Sequence, residues 1–434
     1  MSTYNLLNNN NIGIEIYSFI EKLFPICRSI TGNGTRKTLE LIKQHIPIEI
    51  NDIPSNTKVF DWNVPKEWNI IDAYVKNSKG EKIIDFKISN LHILQYSISI
   101  HKKISLDELK NHLYTLEEYP NWIPYKTSYY QENWGFCMSY KQFQTLEDDE
   151  YEVFIDSTLE NGSLTYGELF FKGEIEDEIL FSTYICHPSM CNDNLSGVLL
   201  LTFLAKTLID KKTKYSYRFL FIPETIGAIS WLAKNENNVH KMKYGVVATC
   251  VGDSGQLTYK KTKQGNTLID KIVEKILVDS RDSYEIVDFF PTGSDERQFS
   301  SPGFNIPVGS LVRTLYGKFP EYHTSADNMD FINSKSLQDS FTKYNSIIHV
   351  LENNVIYKNQ NPKCEPNLGK RKLYDLIGAN KELPSNSNSI FWLLNQSDGN
   401  TSLLEIATKS NISFIDIKNM ADILVSHDLL TIVN

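Results

Sequence analysis

His187 closes a largely apolar run, Ile179-Leu-Phe-Ser-Thr-Tyr-Ile-Cys-His, and Asp193 follows in Asn192-Asp-Asn-Leu-Ser-Gly, where a helical run begins. Glu224 ends a second apolar run, Tyr217-Arg-Phe-Leu-Phe-Ile-Pro-Glu. Asp253 follows a third, Gly245–Val251, and His323 stands in Glu321-Tyr-His-Thr-Ser-Ala-Asp. In an open α/β sheet, ligands bind outside the carboxyl ends of the strands. Imidazoles and carboxylates gathered there suit a divalent metal, zinc before others. Glu224 has no base beside it in sequence, and an ionised carboxylate is costly to bury. That cost gives it a task, as metal ligand or as general base, with burial raising its pKa toward the working range. Taken singly, each residue has a plainer role: a core histidine, an N-cap, a turn aspartate, a loop histidine. Five such residues in this order favour the shared site.

The elements that would position them come from strand–helix alternation between Glu178 and Asn353. Strand-like runs fall at 178–187, 216–223, 244–252, 284–290 and 305–314, and helical periodicity at 195–210, 226–236, 266–279 and 334–353. This alternation predicts an α/β fold with a doubly wound mixed sheet. Residues 1–60 read as helical from 12 onward and join 165–355 in that domain. Residues 61–164, rich in Trp, Tyr and β-branched residues, read as a mostly-β insertion. Residues 356–370 read as a linker. Residues 371–434, with short helical segments at 372–379, 389–396, 402–408 and 415–427 and an apolar end, read as a winged helix-like domain.

The 434 residues carry 41% hydrophobic and 22% charged residues and a net charge of −9, the profile of an ordinary globular protein with no general attraction for nucleic acid. The N-terminus shows no signal-peptide pattern. The longest apolar stretch, 197–205, is far too short for a membrane span. Six cysteines without a framework rhythm point to reduced thiols and a cytoplasmic setting. The tail has few basic residues, a poor electrostatic footprint for DNA. It reads instead as a protein-contact module, with a homo-oligomer as one outcome.

The strings Cys186-His-Pro-Ser-Met-Cys-Asn-Asp-Asn-Leu-Ser-Gly, Pro223-Glu-Thr-Ile-Gly, Gly293-Ser-Asp-Glu-Arg-Gln-Phe and Tyr322-His-Thr-Ser-Ala-Asp resemble those of the co-catalytic zinc aminopeptidases. Over its whole length the chain is similar to a bacterial group that carries an aminopeptidase-like domain and a C-terminal winged helix and is associated with polysaccharide biosynthesis. The resemblance implies that His187 and Asp253 hold one zinc ion with Asp193 bridging, and that His323 and Asp193 hold a second. It makes Glu224 the general base in hydrolysis of an amide in a small peptide, aminoacyl or amino-sugar substrate. Two positions depart from the pattern: Thr225 stands where a second acidic ligand is usual, and Ser189 where an aspartate orients the first histidine. These departures motivate a second reading, a metal-binding protein with weakened or lost turnover that binds a peptide or amino-sugar ligand. Arg28, Asp295, Arg297 and Tyr322 are candidate substrate contacts.

Overall fold

The structure, a computed structural model, describes residues 11–373 and 388–433. Two compact units divide the chain, one running to Thr267 with Glu285–Thr342, the other made of Leu268–Tyr284 and Lys343 onward.

The first unit is organised by an eight-stranded sheet: β1 (Glu49–Pro54), β2 (Ser163–Phe171), β3 (Glu178–Tyr184), β4 (Ser216–Ile222), β5 (Met242–Ala248), β6 (Leu257–Lys260), β7 (Tyr284–Val287) and β8 (Val308–Val312). Its spatial order is β1-β2-β4-β3-β5-β8-β6-β7. The central strands β4, β3, β5 and β8 run parallel, while β1, β2 and β6 pair antiparallel. Parallel strands covered on both faces read as continuous apolar runs, and every residue of β3 is buried. Helix Gly197–Lys206, buried along all but its last residue, lies against the sheet. A Cβ at Gly197 would come within 2.4 Å of the Ala248 carbonyl oxygen, so only glycine lets the helix start this close to β5.

The inserted region forms its own four-stranded antiparallel sheet, ordered Lys82–Asp85, Glu67–Lys76, Glu150–Glu160, Ile100–Ser105. Alternate residues Tyr151, Val153, Ile155 and Ser157 are buried, the period-two pattern of a sheet with one covered face. The Gly-rich turn before helix Asn33–Lys43 is structural. Gly32 has φ +94°, and a Cβ there would meet the Trp68 carbonyl oxygen at 2.1 Å.

The expected mixed α/β architecture is present, with differences at its margins. Residues 12–60 are not all helical: helices Ile12–Leu23 and Asn33–Lys43 are followed by edge strand β1 and a small hairpin, Lys58–Val59 with Trp62–Asn63. The alternation in β1 is short and polar, and its strand character comes from pairing with β2. Strand β6 was also not anticipated, because four residues between Gly255 and a lysine-rich turn carry little periodicity.

In the second unit a three-stranded sheet, Asp398–Ser402, Ile356–Asn359 and Leu430–Ile432, accompanies helices Ser389–Gln396, Leu403–Ser410 and Phe414–Ser426. Ser402 and Glu405 form a reciprocal capping box that fixes the start of the middle helix. Ile356–Asn359, expected as linker, is the central strand. Its partners lie about forty and seventy residues away, so no local pattern announces it. The helix expected at 372–379 falls mainly outside the described residues. No helix among the described residues is long and apolar enough to cross a membrane.

Candidate metal centre

Three of the sequence-derived residues converge. One ligand atom each from His187, Asp193 and His323 all lie within 4.8 Å of one another. His187 follows the carboxyl end of β3, and Asp193 stands in the turn that feeds helix Gly197–Lys206. The Asp193–Asn194 peptide is cis. His323 comes from the loop after β8 with φ +56°. Each side chain is held by its neighbours. The Tyr184 hydroxyl donates to Asp193 Oδ1 and lies 2.6 Å from Thr249 Oγ1. Asp327 accepts the Asn192 and Asp193 amides at 2.6 and 2.8 Å, fixing the turn from below. Tyr322 stacks on the His323 ring at 3.9 Å, and Tyr125 meets both imidazoles edge-on at 5.3 and 5.2 Å.

The electrostatics suit a cation. Burial pushes His187 down to about 4 against the pull of Asp193, so its ring is neutral at physiological pH, the form that ligates metals. Burial by itself would raise the Asp193 carboxyl, but His187, His323 and the Tyr184 hydroxyl outweigh it and hold the group at about 2. His323 Nε2 lies 3.1 Å from Asp193 Oδ2, yet both buried atoms are without a hydrogen-bond partner. Orphaned donors and acceptors of this kind are rare in folded proteins unless something fills the gap. Two imidazoles and a carboxylate aimed at one point fit a zinc ion, which takes three protein ligands where it also keeps an open position.

Glu224 stands beside this cluster. Its Oε2 lies 3.8 Å from His187 Nε2, and its side chain keeps 25% exposure. Burial and then the negative neighbours Asp295 and Asp193 raise its pKa well above the ordinary carboxylate range. The next residue, Thr225, has φ +62° and ψ −75°, and Ile226 N–H bonds the Glu224 carbonyl at 2.7 Å, closing a γ-turn. A β-branched residue in that region is strained. Asp295 accepts the Thr225 amide at 2.7 Å, and Arg297 donates to Thr225 Oγ1 at 3.0 Å. A fully buried pair, Lys260 and Glu296, anchors the segment that carries them, with Lys260 also donating to the Thr292 carbonyl at 2.8 Å.

Two expected residues are placed elsewhere. Asp253 is not among the clustered ligand atoms. Its carboxylate accepts from Asn192 Nδ2 at 3.0 Å, the Gly255 amide at 2.7 Å, and the Thr314 amide and hydroxyl at 3.2 and 2.7 Å. Four donors make it the keystone of a turn, because β5 ends at Ala248 and the chain bends before Asp253 is reached. Arg28 is 1% exposed and spends its Nε on the His187 carbonyl and its Nη1 on the Leu23 carbonyl, at 2.9 and 2.7 Å. It clamps the backbone at His187 from within the core. Ser189, where an orienting carboxylate is usual, donates to the Phe24 carbonyl at 2.7 Å. His187 Nδ1 instead faces Cys186 Sγ at 3.8 Å. Sequence reasoning missed Tyr184, Asp327 and Asn192 as supports. A tyrosine in an apolar strand looks like core, and Asp327 looks like one more capping residue.

Residues 17–354 match the family described as Domain of unknown function (DUF4910), and residues 355–432 match a winged helix-turn-helix family. The chain is 59% identical, over 98% of each sequence, to a Clostridium acetobutylicum protein provisionally named a polysaccharide biosynthesis protein with an aminopeptidase-like domain. A crystal structure from the same organism, provisionally called a peptidase, shares 57% identity over 99% of each chain with TM-score 0.94. A zinc aminopeptidase from Bacillus subtilis shares the fold at 12% identity, TM-score 0.57, covering 78% of this chain and 95% of that one. The chain therefore belongs to the DUF4910 family, an aminopeptidase-like α/β fold followed by a winged helix-turn-helix domain.

Proposed function

We propose that the protein is a metal-dependent amide hydrolase. The observation that carries this reading is the convergence of His187, Asp193 and His323 around unpartnered ligand atoms, with Glu224 alongside. The three residues would hold one zinc ion. When bound, that ion supplies Lewis acidity and stabilises developing negative charge. Glu224 takes the proton of the attacking water and returns it to the leaving amine, a role its raised proton affinity suits. Asp295 and Arg297 hold Thr225, and with it the backbone that aims Glu224. The arrangement favours a single ion, since Thr225 offers no carboxylate and the Asp253 oxygens are engaged by four donors. The name of the Clostridium acetobutylicum relative adds polysaccharide biosynthesis as the setting.

Those same two positions support the second reading, a metal-binding protein without turnover that recognises a peptide or amino-sugar ligand. One experiment separates them. Elemental analysis of the purified chain is expected to find about one zinc per chain. Glu224→Gln is expected to keep the metal while hydrolysis of aminoacyl amides drops by at least about a hundredfold. Zinc retained with no turnover on aminoacyl or amino-sugar amides establishes the second reading; no zinc at all removes both.

A further inference from the structure

Glu224 and His187 face a cavity of about 260 Å³ whose remaining wall is largely aromatic. Ile30 and Ile226 come from the α/β framework, while Trp62, Tyr125, Tyr129 and Tyr130 come from the inserted region and the hairpin that leads into it. The hairpin packs on helix Ile226–Asn235, the helix that follows Glu224 and Thr225, so Trp62 is carried over the site by a short two-stranded support. Trp62 and Tyr130 meet edge to face at 5.4 Å and keep 40% and 51% exposure, which places them at the mouth. Tyr125 and Tyr129 close the wall, their hydroxyls bonded to each other at 2.9 Å.

The polar inventory decides what can fill this space. A hexose presents several hydroxyl groups, and each one buried without a partner costs free energy. The aromatic wall has few to offer them: the two inner tyrosine hydroxyls already face each other, the Tyr130 hydroxyl and the Trp62 indole N–H belong to the exposed mouth, and the other polar groups of the lining, Cys186, Glu224, His187 and Thr225, are at the chemical end. A hydrocarbon ring asks for no such partners and gains from edge and face contacts with four rings. Size agrees, because an apolar cavity of about 150 Å³ already holds a benzene molecule.

From this we infer that the cavity is a specificity pocket for a ring-bearing apolar side chain, so that the substrate is an amide of an aromatic aminoacyl group. The inference rests on the hydrolase reading above for the chemistry, but not for the binding. The inserted region thereby acquires a role as substrate wall.

The test uses the full-length protein and two kinds of readout. Zinc-loaded protein is assayed on phenylalanyl, leucyl, alanyl and N-acylglucosamine amides. In parallel, Glu224→Gln is titrated calorimetrically with phenylalanine amide, alanine amide and glucosamine. The expected result is a kcat/KM for the phenylalanyl amide at least about tenfold above the alanyl amide, carried mainly by KM. Trp62→Ala is expected to lower that ratio by about tenfold, while Trp62→Phe, which keeps a ring at the mouth and guards against a folding defect, retains most of it. Selective binding of phenylalanine amide with no turnover anywhere would sink the hydrolase reading and leave the pocket standing. Turnover that is flat across side chains, or that prefers the glucosamine amide, overturns the pocket and leaves the hydrolase. If neither binding preference nor turnover is found, both fall.

Discussion

The Tyr184 hydroxyl donates to Oδ1 of Asp193 and so turns Oδ2 toward His323 Nε2, 3.1 Å away. One phenol thereby sets which carboxylate oxygen is free to ligate. Supports of this kind behind a metal ligand are worth about tenfold to a hundredfold in affinity. Tyr184→Phe is accordingly expected to weaken zinc binding by that factor, measured by competition with a chromophoric chelator. Asp193→Asn and His323→Ala, which remove two of the proposed ligands, are expected to abolish binding in the same assay. Equal affinity in Tyr184→Phe and the unaltered protein would show that Asp193 is oriented by something else.

Glu224 must be ionised to act as a base, and the Asp295 carboxylate works against that. Burial pushes Asp295 up to about 7, and Glu224 lies well above its ordinary range. The two buried carboxyls resist charging side by side, and the charge of Asp295 opposes loss of the Glu224 proton. Asp295→Asn keeps an oxygen for the Thr225 amide and removes the charge. The acid limb of the kcat/KM profile is expected to move to lower pH, by on the order of one unit. A limb that stays in place would assign the titration to another group.

How much of this was legible in the sequence follows from where each signal resides. β3, β4, β5 and β8 announced themselves because strands buried on both faces must be apolar throughout. Asp193 and His323 stood out through the strings Asn192-Asp-Asn-Leu-Ser-Gly and Tyr322-His-Thr-Ser-Ala-Asp, whereas His187 and Glu224 stood out because each ends such an apolar run with a group that burial penalises. Asp253 had the same signature, yet its oxygens are taken by Asn192, Gly255 and Thr314. The pattern that puts a carboxylate at a strand end does not say which donors will reach it first. Arg28 misled for a related reason: a basic residue beside a Gly-rich turn looks solvent-facing, and only tertiary packing reveals that it serves the carbonyls of Leu23 and His187. Strand Ile356–Asn359 was illegible because its partners are remote and its own four residues alternate too briefly.

Thr225 provides a test of backbone strain. With φ +62°, its β-branched side chain occupies a region that glycine tolerates and other residues rarely do. At most positions glycine is less stable than alanine by about 0.5–1 kcal/mol, through the entropy of the unfolded chain. Here the order is expected to invert, with Thr225→Gly more stable than Thr225→Ala by about 1 kcal/mol in urea denaturation. Both variants lose the Arg297 contact, so the difference isolates the backbone. Should alanine prove the more stable, the γ-turn at this position is not strained.

Glu67 gives a prediction away from the metal. Arg36 binds it through two nitrogens, Nη1 at 2.7 Å, and the Ser163 amide adds a donor at 2.9 Å, joining helix Asn33–Lys43 to the first strand of the inserted sheet. Arg36, with help from the Ser163 amide and Asn69 and against the cost of burial, lowers Glu67 to about 2. A folded-state pKa below the unfolded value stabilises at pH values above the unfolded pKa, and that stabilisation is lost as pH falls through the folded one. The side chains keep 27% and 14% exposure, so solvent screening limits the contribution to about 1–2 kcal/mol. Glu67→Gln is therefore expected to cost about that much at pH 7 in urea denaturation. The gap to the unaltered protein should narrow steadily as the titration is repeated from pH 5 downward, because protonating Glu67 removes the same charge that the substitution removes. A gap that stays constant with pH would mean the glutamate acts through packing and hydrogen bonds that glutamine reproduces poorly, and not through its charge.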